Sequence, residues 1–133
     1  MQKLILKIDI TGGEYLKTPA GDVGMVFFGG SCGGELFTGK ILSGGVDTQH
    51  FSSEKSTLSA RYMLEGTDFA GQKCRIFIEN NAVIGEERTY PSVLTDSEAL
   101  SWLNTEPLSG RMINGGEGLT VEIARAKDME ENI

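Results

Sequence analysis

Four short stretches of the chain carry the side chains best suited to chemistry. Residues 44–50 hold Asp47 and His50, and residues 59–68 hold Arg61, Tyr62 and Glu65. Residues 76–81 hold Asn80, and residues 100–104 hold Trp102 and Asn104. A carboxylate and a phenol are a base and an acid. An arginine presents a fork of donors to an anionic or carbonyl oxygen. The sequence therefore nominates Asp47, Arg61 and Tyr62 as catalytic, with His50, Glu65, Asn80, Trp102 and Asn104 around the ligand. Such a set suits isomerisation, cyclisation or elimination on a small organic molecule, without a cofactor. Each residue also has a purely structural use. Asp47 follows Gly44-Gly45-Val46 and can bond its own turn. Arg61 can pair with Asp47 or Glu65, Tyr62 can be core, Trp102 can cap the fold, and Asn104 can end a helix. His50, the sole histidine, is equally at home in strand packing.

Two motif spellings fail on context. Residues 34–40 match the first seven positions of a phosphate-binding loop, but Ile41 stands where a Ser or Thr must hold magnesium. Residues 29–33 spell Gly-x-Ser-x-Gly, but a nucleophile elbow needs a strand-turn-helix in an α/β sheet and a later acid and histidine. One histidine and two distant cysteines, Cys32 and Cys74, give no metal-ligand spacing. The expectation is no metal and no cofactor. Cys74, beside Ile76, reads as a small buried hydrophobe, whereas Cys32 reads as part of a glycine loop. Both are expected to be unpaired.

The elements that must position these residues are strands. Leu4, Leu6, Ile8 and Ile10 alternate with polar residues, as do Leu58, Ala60, Tyr62 and Leu64, then Cys74, Ile76 and Ile78, then Leu119, Val121 and Ile123. A period of two with one apolar face marks half-buried strands. Residues 23–28, 36–42, 49–52 and 83–89 are weaker strand candidates. Five glycine pairs among 18 glycines punctuate these runs as tight turns. Thr95-Asp96-Ser97-Glu98 fits a capping box, which predicts one short helix over 96–104. The pattern is all-β, a barrel or a sandwich; a single antiparallel β-barrel over residues 1–127, with 128–133 as an acidic tail, suits so many consecutive strands because closure removes exposed edges. Strand order along a meander places Asp47 and Arg61 within direct or water-bridged reach.

The 133 residues suit one domain. Nineteen acidic against 12 basic residues give a net charge of −7, without a basic cluster. Nucleic acid and anionic membranes are therefore poor partners. The longest fully apolar run, residues 25–28, is far short of the roughly 20 needed for a membrane span. The N-terminal residues lack a cleavable apolar leader, so a cytoplasmic location is expected. Phe27 and Phe28 are adjacent and must point to opposite faces of a strand, so one leaves the core. That predicts a homodimer or larger homo-oligomer built on residues 23–28.

Together, Ile10-Thr11-Gly12-Gly13, Gly44-Gly45-Val46-Asp47, Leu58–Tyr62, Asp68-Phe69-Ala70-Gly71 and Trp102-Leu103-Asn104, in this order, resemble the domain of unknown function 3237 family. The resemblance spans residues 3 to 127. It implies a small antiparallel barrel, calycin-like or allene-oxide-cyclase-like, with one short helix and no established activity. Two functions follow as expectations: a small-molecule-binding barrel, with or without activity as a cofactor-free isomerase, cyclase or lyase, or a non-catalytic binding or assembly module whose polar cluster serves the fold.

Overall fold

Alternating side chains leave each strand one apolar face, and nine antiparallel strands bury those faces by rolling into a closed ring. The computed structural model describes residues 2–116 and 118–130. The strands are β1 (Lys3–Thr18), β2 (Gly21–Gly33), β3 (Phe37–Ile41), β4 (Gly45–Phe51), β5 (Thr57–Asp68), β6 (Lys73–Val83), β7 (Arg88–Thr95), β8 (Leu108–Gly115) and β9 (Gly118–Arg125). β3 and β4 share one position between β2 and β5, so the ring has eight strand positions and closes through β1 and β2. Closure pairs the strands around the ring, although β1 runs on past its β9 partner from residue 9 to Thr18.

The two ends of the barrel differ. At one end, Leu36, Phe37, Leu64, Ile76, Leu100 and Leu103 are fully buried and fill the lumen. Leu100 and Leu103 arrive from the connection between β7 and β8, whose only helical part is a single 3₁₀ turn, Ser101–Asn104. The helix predicted over 96–104 is thus shorter and starts later. The reason lies in Thr95 and Ser97. Thr95 stays in β7, where its hydroxyl donates to the Arg75 carbonyl at 2.7 Å. The Ser97 hydroxyl donates to Asp68 Oδ2 at 2.7 Å and accepts the Leu100 amide at 3.1 Å. Asp68 Oδ1 accepts the Ala70 and Gln72 amides at 2.9 and 3.0 Å. One carboxylate therefore ties the β5–β6 turn to the segment that plugs the barrel.

Three stretches differ from the sequence reading. Residues 29–33 are not a loop but the paired end of β2, facing residues 5–9 of β1, so Cys32 is buried in the lumen. Cys32 and Cys74 are both free. The strand expected over 83–89 is divided: Val83 ends β6, residues 84–87 are the turn, and Arg88 and Thr89 open β7; the rest of β7 and β8 were not foreseen, because glycine, proline and polar residues blur their alternation. A second short helix, α1 (Ala126–Glu130), begins where the acidic tail was expected; residues 131–133 lie outside the described residues.

Two predictions concern this closed end. Gly39 and Gly66 face each other across β3 and β5, and the Phe37 ring lies over both. A Cβ on Gly66 would meet the Thr38 carbonyl oxygen and Phe37. Gly66→Ala is expected to cost about 1–3 kcal/mol through overpacking, measured by urea unfolding. The hydrogen bond from Ser97 and those from the backbone amides hold the Asp68 carboxyl below its ordinary value of 3.8. Its folded pKa is depressed, so its contribution is present above pH 3.8 and fades as pH falls through the lower folded value. Asp68→Asn is expected to remove that part of the acid sensitivity, read from unfolding curves at pH 2 to 5.

Candidate functional site

The other end of the barrel is open. Ala60 sits at the middle of a cross-strand rung, with Asp47 of β4 on one side and Asn80 of β6 on the other. All three face the lumen. Ala60 is too small to fill it, and a cavity of about 490 Å³ lies at this level and above. Its floor is Phe28, Tyr62 and Val121, and its walls include Ile8, Val26, Leu58, Met112 and Leu119. The polar lining is sparse. Asp47, Gln49, Asn80 and the phenols of Tyr15 and Tyr62 supply the polar side chains.

Asp47 is the only carboxylate among the lining residues. Gln49 lies two residues on, on the same face of β4, and its Nε2 donates to Asp47 Oδ2 at 2.9 Å. Asp47 Oδ1 is shielded from water and has no hydrogen-bond partner among the described residues; Asn80 Oδ1 is in the same condition. Burial pushes the Asp47 carboxyl above its ordinary value of 3.8, and the bond from Gln49 and the nearby Ser59 backbone amide only partly oppose it. Tyr62 packs edge-on to Phe28, with ring centres 5.2 Å apart. Burial raises its pKa strongly, so it serves as a neutral phenol. Cys32, beneath, is pushed up to about 12 by burial and is held as a thiol.

The remaining nominated residues lie elsewhere. Arg61 stands next to Tyr62 in sequence and so on the opposite face of β5. It is exposed and donates to Glu79 at 3.0 Å on the outside of the barrel. The predicted reach between Asp47 and Arg61 is therefore wrong: the two strands are neighbours, but the sheet separates the side chains. Glu65, also outward, pairs with Arg75 at 2.8 Å. His50 is exposed on the outer face of β4. Trp102 belongs to the plug at the far end, where the Arg125 guanidinium stacks over it at 3.7 Å. Asn104 does not cap a helix in the left-handed form; its side chain accepts from the Thr95 amide at 2.7 Å and donates to the Thr95 carbonyl. Of the eight, Asp47, Tyr62 and Asn80 share the cavity.

Gln49, Tyr15 and the apolar wall were missed. Gln49 was legible from its two-residue spacing to Asp47. Tyr15 was not. The register of β1 against β2 shifts between Ile10 and Gly12, which moves the inward face from even to odd positions. Tyr15 consequently turns over Gly24, where a Cβ would lie 2.7 Å from its ring. Among the described residues no cluster of three His, Cys, Asp or Glu could hold a metal ion, and no helix is long and apolar enough to cross a membrane.

Residues 6–126 match the DUF3237 family of proteins of unknown function. The chain belongs to that family. Similar solved structures include a protein of unknown function from Clostridium acetobutylicum ATCC 824, at 22% identity and TM-score 0.74, covering 92% of this chain and 97% of that one. A β-barrel-like protein from Acinetobacter baumannii AYE aligns at 19% identity and TM-score 0.69, covering 91% and 89%. An enzyme from Penicillium herquei aligns at 20% identity and TM-score 0.69, covering 90% and 87%. These likenesses establish the fold. No curated protein matches the sequence.

The Asp47 environment makes a sign-specific prediction. Its folded pKa is raised, so the folded state is penalised as pH climbs from 3.8 through the higher folded value. Asp47→Asn removes that penalty. The stability of the variant relative to the wild type should rise between pH 4 and pH 7, measured by urea unfolding. A difference independent of pH would mean that Asp47 titrates normally.

Proposed function

We propose that this barrel binds a small, neutral, mostly apolar organic molecule bearing an O–H or N–H donor, and that Asp47 exchanges a proton with it. The observation carrying this reading is a carboxylate with one unpartnered oxygen set in an otherwise apolar cavity. A cluster serving only the fold would satisfy its own hydrogen bonds. Asp47 Oδ1 and Asn80 Oδ1 both accept, so a ligand that donates is the complement. No Lys or Arg lines the cavity, which argues against the anion anchored by arginine that the sequence suggested.

A carboxyl whose pKa is raised above its ordinary value is a stronger base than a free carboxylate and can also return the proton as an acid. As carboxylate, Asp47 takes a proton from one atom of the ligand; as carboxylic acid, it returns a proton to another. The net result is an isomerisation, or a cyclisation or elimination with balanced protons. Tyr62, held neutral, donates a hydrogen bond, and Gln49 orients the carboxylate. The two buried, unpaired thiols support a cytoplasmic setting, where reduction keeps cysteines free.

The test uses neutral probes that fit the cavity. 2-Naphthol is expected to bind at least tenfold more tightly than 2-methoxynaphthalene, by fluorescence titration, since a hydrogen bond to a charged group is worth about 1.5–3 kcal/mol. Asp47→Ala should erase the preference, and Ala60→Leu should abolish binding of both probes by filling the cavity. Equal affinities for the two probes in the wild type would overturn the donor requirement.

A further inference from the structure

The upper half of β1 is an open edge. β9 pairs with β1 only from Lys3 to Ile8; from residue 9 to Thr18 the pairing among the described residues is with β2 alone. One side of this segment, about 30 Å long at strand rise, presents its backbone N–H and C=O groups without a neighbouring strand. The same hairpin is apolar on both faces. Toward the cavity, Ile10 is 67% and Tyr15 68% exposed; on the outside, Leu16 is 58% and Met25 41% exposed, next to half-buried Val23 and Phe27. An arm that stood free in water would be polar on at least one face.

The cavity is also unfinished on this side. β9 ends its share of the wall at Leu119, opposite Ile8, while β1 continues to line the cavity as far as Tyr15. Above Leu119 no strand among the described residues pairs with this side of β1.

We propose that residues 10–18 of β1 pair antiparallel with the same segment of a second copy about a two-fold axis, so that the partner's hairpin completes the cavity wall and covers Ile10, Tyr15 and Leu16. A second copy fits better than a foreign strand for two reasons. An antiparallel edge meeting itself across a two-fold axis matches donors to acceptors without further design. The segment is also electrically neutral, with Glu14 and Lys17 as its charges, in a chain of net charge −7. Two acidic copies can therefore meet here without bringing like charges together. This proposal stands independently of what the cavity binds.

Sedimentation velocity at micromolar concentration decides it. The wild type is expected at about 29 kDa, twice the 14.4 kDa of one chain. Leu16→Lys should shift dissociation to at least tenfold higher concentration with the circular dichroism spectrum unchanged. Leu94→Lys, at a residue 63% exposed on the outer face of β7, should leave the dimer intact. Hydrogen exchange should show the edge-facing amides of residues 10–18, those not bonded to β2, protected in the dimer and unprotected on dilution to monomer. A wild-type mass near 14.4 kDa, dissociation by Leu94→Lys instead of Leu16→Lys, or unprotected amides in a 29 kDa species would each overturn the interface.

Discussion

The lumen of this barrel is filled at one end and empty at the other, and the size of one inward side chain marks the change. Below Ala60 the inward positions of β5 and β6 carry Tyr62 with Ile78 and Leu64 with Ile76, which interlock. At Ala60 the rung narrows to a methyl group between Asp47 and Asn80. A ring of eight strands has just enough interior for side chains, so a small residue in such a ring leaves a hole. The packed end supplies stability, and the open end is free to carry polar groups that packing would not tolerate.

Two aspartates show what each end does to the same chemistry. Asp68 collects hydrogen bonds from Ser97, Ala70 and Gln72, and its charged form is favoured. It anchors the plug. Asp47 has a single side-chain donor, Gln49, and sits among apolar walls, so its charged form is disfavoured. The first environment completes a carboxylate; the second leaves one carboxylate oxygen without a hydrogen-bond partner among the described residues.

The outer surface explains why so many polar strand residues do not reach the cavity. Arg61 with Glu79 and Arg75 with Glu65 form cross-strand pairs on β5 and β6, and Lys3 and Arg111 converge on Glu122 across β1, β9 and β8. The β5–β6 pairs solvate a face that closure turns outward, and exposed pairs of this kind contribute little energy each, whereas Glu122 is buried between its two cations. Their residue types are those of an active site, but their parity is that of a surface. In β5 the parity was legible: Leu58, Ala60, Tyr62 and Leu64 form one apolar face, which assigns Arg61 and Glu65 to the other. Grouping Arg61 with Tyr62 set proximity in sequence against the pleat, and the pleat prevails.

Alternation in the sequence alone determined the all-β class, the strands with clean patterns, and the side of β5 and β6 that holds Tyr62 and Asn80. It did not place Asp47, which reads as part of a glycine turn ahead of a strand at 49–52 but lies inside β4, Gly45–Phe51. A period of two is a local property, set by the backbone of each strand, and needs no knowledge of neighbours. The tertiary structure decided the rest. The register shift near Thr11 reverses the facing of β1 and brings Tyr15 over the cavity, and no local pattern encodes it, because a bulge is defined only against its partner strand. The 3₁₀ turn is short because Thr95 and Ser97 are bonded to β5 and β6 rather than to a helix. Which end is plugged, and hence that Trp102 and Asn104 lie far from Asp47, depends on where β7 leaves the ring, a consequence of closure that no single strand contains.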